Sequence, residues 1–186
     1  MANKKKVVLV LTYTIGSVIA YMLAGLPLML IYSMIWLEKV ILGAFSPIGM
    51  IGIEFSTLST VLAAILYGPF YAVVFTMVTF PILRGLRYAL LPLTEPEWPP
   101  FFPGPDDALH ASGALVGALI SSLPFFWIMA IVSFYKTFCW AYIIPRMMEK
   151  PWNPFASITT IIFNLSAGAY FGLLFFSAIG MQKLLF

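Results

Sequence analysis

An all-α polytopic membrane bundle is the architecture expected of this chain, and three observations carry it. Of its 186 residues, 62% are hydrophobic and only 9% charged, whereas a soluble domain carries about 25% charged residues. Charges and prolines cut the sequence into apolar blocks of a length suited to membrane helices, about 20 residues per crossing. No polar stretch between the blocks is long enough for a soluble domain. Residues 1–186 therefore read as one integral membrane domain, a bundle of five to six transmembrane helices with a Pro-rich interfacial loop.

The first block runs from Val7 to Leu37 behind Lys4, Lys5 and Lys6. It is too long for the apolar core of an ordinary signal peptide, so an uncleaved first span with a cytoplasmic N-terminus is expected. Pro27, after Ala24-Gly25-Leu26, should kink or end this helix and leave a second, shorter piece. The block Val40–Leu83 is too long for one helix and carries a single charge, Glu54. Gly68-Pro69 divides it into a helix near Ser56–Tyr67 and another near Phe70–Leu83. Before them Ser46–Glu54, with its proline and two glycines, reads as a non-helical or re-entrant stretch, tolerable only where buried in protein or lining a wet cavity.

The segment Pro92–Pro105 holds six prolines and is expected as an extended interfacial loop. Asp106 and Asp107 then offer a cap and favourable first-turn charge to the next helix. The block Ala111–Ile144 is apolar except for Lys136, Arg146–Pro154 is a polar turn, and Phe155–Met181 is the last span. Three spans from a cytoplasmic N-terminus put the Pro-rich loop outside. That suits its acidic residues but strands Arg84 and Arg87 there, against the tendency of basic residues to stay inside. One tilted span over Ala111–Ile144 gives five in all; a division at Pro124 gives six.

Chemistry-bearing residues are few. Cys139 and His110 are the only ones of their kinds, which excludes an intrachain disulfide, a cysteine zinc site, an iron–sulfur cluster and multi-histidine metal centres. No phosphate-binding loop, nucleophile elbow or dinucleotide fingerprint occurs. No enzyme, cofactor or metal is expected, and the basic N-terminus suits lipid headgroups rather than nucleic acid. His110 is expected at the interface, and Lys136 to snorkel toward it.

Glu54 is the most informative single residue: either a membrane-embedded functional group or a loop carboxylate in contact with water. Ser56 and Thr57 follow it at a helix start, and Asn164 is the polar exception in the last span; these four are the candidate substrate contacts. Small residues recur at four-residue spacing: Gly16, Ala20 and Ala24; Gly113, Gly117 and Ser121; Gly168 and Gly172. Such stripes let helix backbones approach closely in lipid, and the first is a candidate face for docking a partner.

The order of these features resembles the substrate-binding S components of energy-coupling factor vitamin transporters. Pro47–Phe80, PIGMIGIEFSTLSTVLAAILYGPFYAVVFTMVTF, is similar to the second and third helices of that family and their lead-in. ITTIIFNLSAGAYFGLLF is similar to its final helix, and Ala20 and Ala24 match its AxxxA docking pattern. The resemblance implies six helices in the cell membrane. It also implies capture of a small vitamin or metabolite from outside, with a transmembrane coupling subunit and ATPase subunits as partners. The alternative from a different class is an accessory integral subunit of a larger membrane complex, with no ligand of its own.

Overall fold

The computed structural model describes residues 2–44, 52–91, 99–143, 145 and 152–180. Among these there are six helices and no strand: α1 (Ala2–Trp36), α2 (Ser56–Tyr67), α3 (Pro69–Leu90), α4 (Pro105–Leu119), α5 (Phe125–Tyr142) and α6 (Pro154–Ala178). Four segments are long and apolar enough to cross a membrane: Lys5–Ile41, α3, α5 and α6. An all-α bundle is thus observed, with four segments of spanning length among the described residues where five or six were expected. The stretch 45–51, the Pro-rich residues 92–98 and residues 146–151 of the polar turn lie outside the described residues, so the re-entrant reading of Ser46–Glu54 is largely beyond them.

The first helix is folded double. Its backbone leaves helical geometry at Ala24 and Gly25, where Gly25 takes φ 74°, a conformation glycine adopts without steric cost. On either side the chain packs against itself. The Tyr32 hydroxyl donates to the Thr12 carbonyl at 3.1 Å, the Tyr13 and Ser33 hydroxyls lie 3.2 Å apart, and the Tyr13 and Trp36 rings are 5.0 Å apart. In a straight helix residues twenty apart would be separated by about 30 Å. Gly16 lets the arms close, because any side chain there would collide with the Tyr32 ring. The break falls just before Pro27, as the sequence suggested, but it is a reversal rather than a kink. A π-helical turn (Leu37–Ile41) and a 3-10 turn (Leu42–Ala44) end the second arm.

From there the helices alternate in direction. Tyr67 at the end of α2 donates to the Ala24 carbonyl at the reversal, while Ser56 at its start meets Glu38 at the end of the second arm. α3 returns, and Arg87 near its end donates to the Gly43 carbonyl. α4 runs back beside it, held by Arg84 to Asp107. α5 packs antiparallel on α4 through Val132 and Lys136 against Gly113. α6 packs antiparallel on α5, with Gly168 against Met129 and Gly172 against Phe125. Most of the small-residue stripes are therefore spent inside the bundle, and Ala20 is likewise buried in the core.

Pro124 does divide Ala111–Ile144, one of the two alternatives the sequence left, giving α4 and α5; α3 departs from expectation by continuing past Leu83 through Arg84 and Arg87. The extra pass made by the α1 reversal changes the parity of everything after it. The Pro-rich segment, expected across the membrane from the N-terminus, reaches the bundle at the same end: Phe101 packs on Gly85 and the Phe102 carbonyl accepts from Arg84 at 2.7 Å. That half of the bundle holds Lys5, Lys6, Glu38, Lys39, Glu54, Arg84, Arg87, Asp106, Asp107 and Lys136. Among the described residues the other end, with its turns at 24–27, 68 and 120–124, holds no charged residue.

Candidate functional site

Unequal helix lengths set the depth of the site. α3 has 22 residues and α6 has 25, about 33 and 38 Å at 1.5 Å per residue. α2 has 12 and α4 has 15, about 18 and 22 Å. The short pair shares the charge-free end with its neighbours, so the starts of α2 and α4 stop well short of the charged end. Against a hydrocarbon layer of about 30 Å, the residues at those starts sit inside the bundle rather than on its surface.

Glu54 occupies that position. It is the second-last residue before α2, behind Gly52, whose φ of 72° and close approach to the Ala156 carbonyl and the Thr160 hydroxyl admit no side chain. The Glu54 carboxylate meets groups from four helices. Lys136 Nζ of α5 donates to Oε1 at 2.6 Å and also to the Thr57 hydroxyl. The Thr57 hydroxyl of α2 donates to the same Oε1 at 2.5 Å. Asn164 Nδ2 of α6 reaches it at 3.5 Å, and His110 Nε2 of α4 lies 3.9 Å from Oε2. The adjacent Lys136 ammonium and the hydrogen bonds from Lys136 and Thr57 offset the cost of burying the Glu54 charge.

Three further polar pairs surround this centre. Glu38 accepts from the Ser56 backbone N–H and hydroxyl, both at 2.5 Å, and pairs with Lys39 at 2.8 Å; it supplies the cap that Phe55 cannot give α2. Asp107 accepts from the Gly104 N–H at 2.8 Å and pairs with Arg84 at 2.8 Å. Asp106 accepts from the Trp140 indole at 3.1 Å. Phe80 links two of these groups, with Lys39 Nζ 4.9 Å from its ring centre and the His110 ring edge-on at 5.4 Å.

Of the four residues singled out as substrate contacts, the structure brings Glu54, Thr57 and Asn164 together, while Ser56 turns to Glu38. Two side chains sit elsewhere than the sequence suggested. Lys136 does not snorkel: it is 3% exposed and ion-paired to Glu54, with its stem packed against Gly113 of the facing helix. His110 is not interfacial but 1% exposed, stacked behind Glu54. Asp106 and Asp107 occupy the first turn of α4 as expected, with Asp107 also tying α4 to α3. Sequence reading missed Glu38, which looked like the polar end of an apolar block; its spacing from Ser56 carries no signal of contact.

A second concavity is of another character. Tyr13, Leu30, Met34, Trp36, Phe171 and Phe175 help line an open apolar groove of about 500 Å³ between the α1 hairpin and α6. Its lining suits acyl chains rather than a polar solute. Among the described residues no group of three or more His, Cys, Asp or Glu side chains is arranged to hold a metal ion. No protein-family model, curated protein or solved structure matches the chain.

Proposed function

We propose that this chain is the membrane-embedded binding subunit of a transport system of the energy-coupling factor type, with the Glu54 centre as its substrate site. The observation that carries the reading is the convergence of Glu54, Thr57, His110, Lys136 and Asn164 from five segments inside a bundle whose core is mainly apolar. An ionisable group at membrane depth is costly and marks a functional site by default. The partners of such a subunit are a transmembrane coupling subunit and ATPase subunits, and its setting is the cell membrane. Lys5, Lys6, Lys39, Arg84 and Arg87 all lie at the charged end, so the positive-inside tendency puts that end, and the N-terminus, in the cytoplasm. Glu54, the most exposed member of the site, then lies in the cytoplasmic half, the side of release in an uptake cycle.

One observation favours the second reading, an accessory subunit with no ligand of its own. Each carboxylate of the cluster already has an internal partner, as expected of a clamp between helices. Mass spectrometry of the intact complex, purified in mild detergent, separates the two. A stoichiometric small molecule, lost when Glu54 is changed to Ala, is the expected result; a fixed set of large subunits without a ligand or ATPases would sink the transport reading.

A further inference from the structure

Resting on the reading of the Glu54 centre as a binding site, the geometry points to its ligand class: we propose that it takes the ammonium group of a small amine, in exchange for the ammonium of Lys136. The unfilled hydrogen-bonding capacity of Asn164 and Glu54 is of one kind. Asn164 turns its amide nitrogen toward Glu54, which leaves Oδ1 as an acceptor, and that oxygen is buried with no partner among the described residues. His110 Nε2 stands 3.9 Å from Glu54 Oε2, beyond hydrogen-bonding reach. Glu54 Oε2 accepts no hydrogen bond from the described residues, whereas Oε1 accepts from Thr57, Lys136 and Asn164. Two acceptors therefore wait for donors. A carboxylate or phosphate ligand would add acceptors to acceptors, whereas an ammonium group supplies three N–H donors and a positive charge.

Lys136 shows that the centre holds such a group. Its Nζ lies between Glu54 Oε1 and the Thr57 hydroxyl, at the end of a flexible stem packed against Gly113. Glu54, with a side chain 21% exposed, is the member of the centre that an entering molecule meets first; Lys136, His110 and Asn164 lie behind it, each under 4% exposed. The surroundings favour a cation as well. Lys39, Lys136 and Arg84 are paired with Glu38, Glu54 and Asp107, while Asp106 has only the neutral indole of Trp140 among its hydrogen-bond partners in the described residues. An amine that takes the place of Lys136 on Glu54 and Thr57 frees the lysine stem to withdraw. Its departure lets Lys136 return, so the lysine acts as a tethered competitor that sets the affinity.

The test is thermal unfolding of the full chain in mild detergent, followed by tryptophan fluorescence, with ethylammonium, acetate and acetamide titrated at constant ionic strength. Ethylammonium is expected to raise the midpoint saturably and the other two to leave it unchanged. E54Q should abolish the shift, and K136M should bring saturation to a concentration at least tenfold lower. If K136M folds only in the presence of ethylammonium, the rescue supports the same assignment; if it does not fold at all, T57V in its place should raise the saturating concentration several-fold. A saturable shift with acetate alone, or none with ethylammonium, overturns the amine assignment. A co-purified metabolite without an amine would also overturn it, while leaving the binding-subunit reading in place; loss of that reading would instead be seen as partner subunits with neither ligand nor ATPases.

Discussion

Glu54 and Lys136 illustrate how one contact changes the meaning of two residues. Each alone is an expensive passenger in an apolar helix bundle, and together they form a buried pair joined by Thr57 and approached by Asn164. Removing one partner leaves the other buried and uncompensated, which costs about 3–5 kcal/mol, whereas replacing both with neutral groups of similar size is often tolerated. E54Q and K136M are each expected to lower the unfolding midpoint in detergent, and the double variant to fall by clearly less than the two losses combined. A double-mutant cycle on thermal unfolding measures this; purely additive losses would mean that the pair is not formed. Glu38 predicts a smaller effect of a different kind. Its carboxylate caps α2 through Ser56, so E38A should loosen the start of that helix, with faster amide exchange at 56–59 than at 62–66.

At the scale of the element, the α1 hairpin is held by very little. The first arm is largely exposed, with Met22, Leu23 and Val10 facing outward, and its inner contacts are Thr12, Tyr13 and Gly16 against Tyr32, Ser33 and Trp36. A leucine at position 16 collides with the Tyr32 ring and should separate the arms while leaving α3 to α6 intact. Limited proteolysis of G16L is expected to release the first arm at protease concentrations that leave the wild-type chain whole. Equal resistance would mean that the arms are not held by this contact. The short helices α2 and α4 show the complementary principle. Neither reaches the charged end, so the chain before each must descend into the bundle, and the polar groups of that descent, Glu54, Gly104 and Asp107, find partners there, as buried polar groups must.

For the whole molecule, the described charges all gather at one end, and the alternation of helices explains why. The reversal at Ala24-Gly25 adds a pass, which returns Lys39, Arg84 and Arg87 to the side of Lys5 and Lys6 and removes the conflict that a straight first helix created. The charge-free end should then face away from the cytoplasm. In a C139S background, a cysteine at Ser122 is expected to react with a membrane-impermeant thiol reagent added to intact cells. A cysteine at Phe102 should react only after the membrane is opened, and the reverse pattern would invert the assignment.

Composition, charge spacing and the proline and glycine breaks determined that this is an all-α chain with helices apolar enough to span a membrane, where α2 begins, that Gly68-Pro69 divides its block, and that Glu54, Thr57 and Asn164 are the polar residues to watch; they left open whether Pro124 divides Ala111–Ile144. These features are local: they depend on the propensity of a segment and on the cost of a polar group in lipid. What only the tertiary structure decided are the reversal of α1, the common end of all described charges, and the recruitment of Lys136, His110 and Glu38 to the cluster. Each depends on which helices lie side by side. Lys136 can be buried because Glu54 and Thr57 meet its ammonium, and α1 can fold double because Gly16 faces Tyr32. A single sequence shows both members of each pair but not their contact, since residues far apart along the chain become neighbours only through packing.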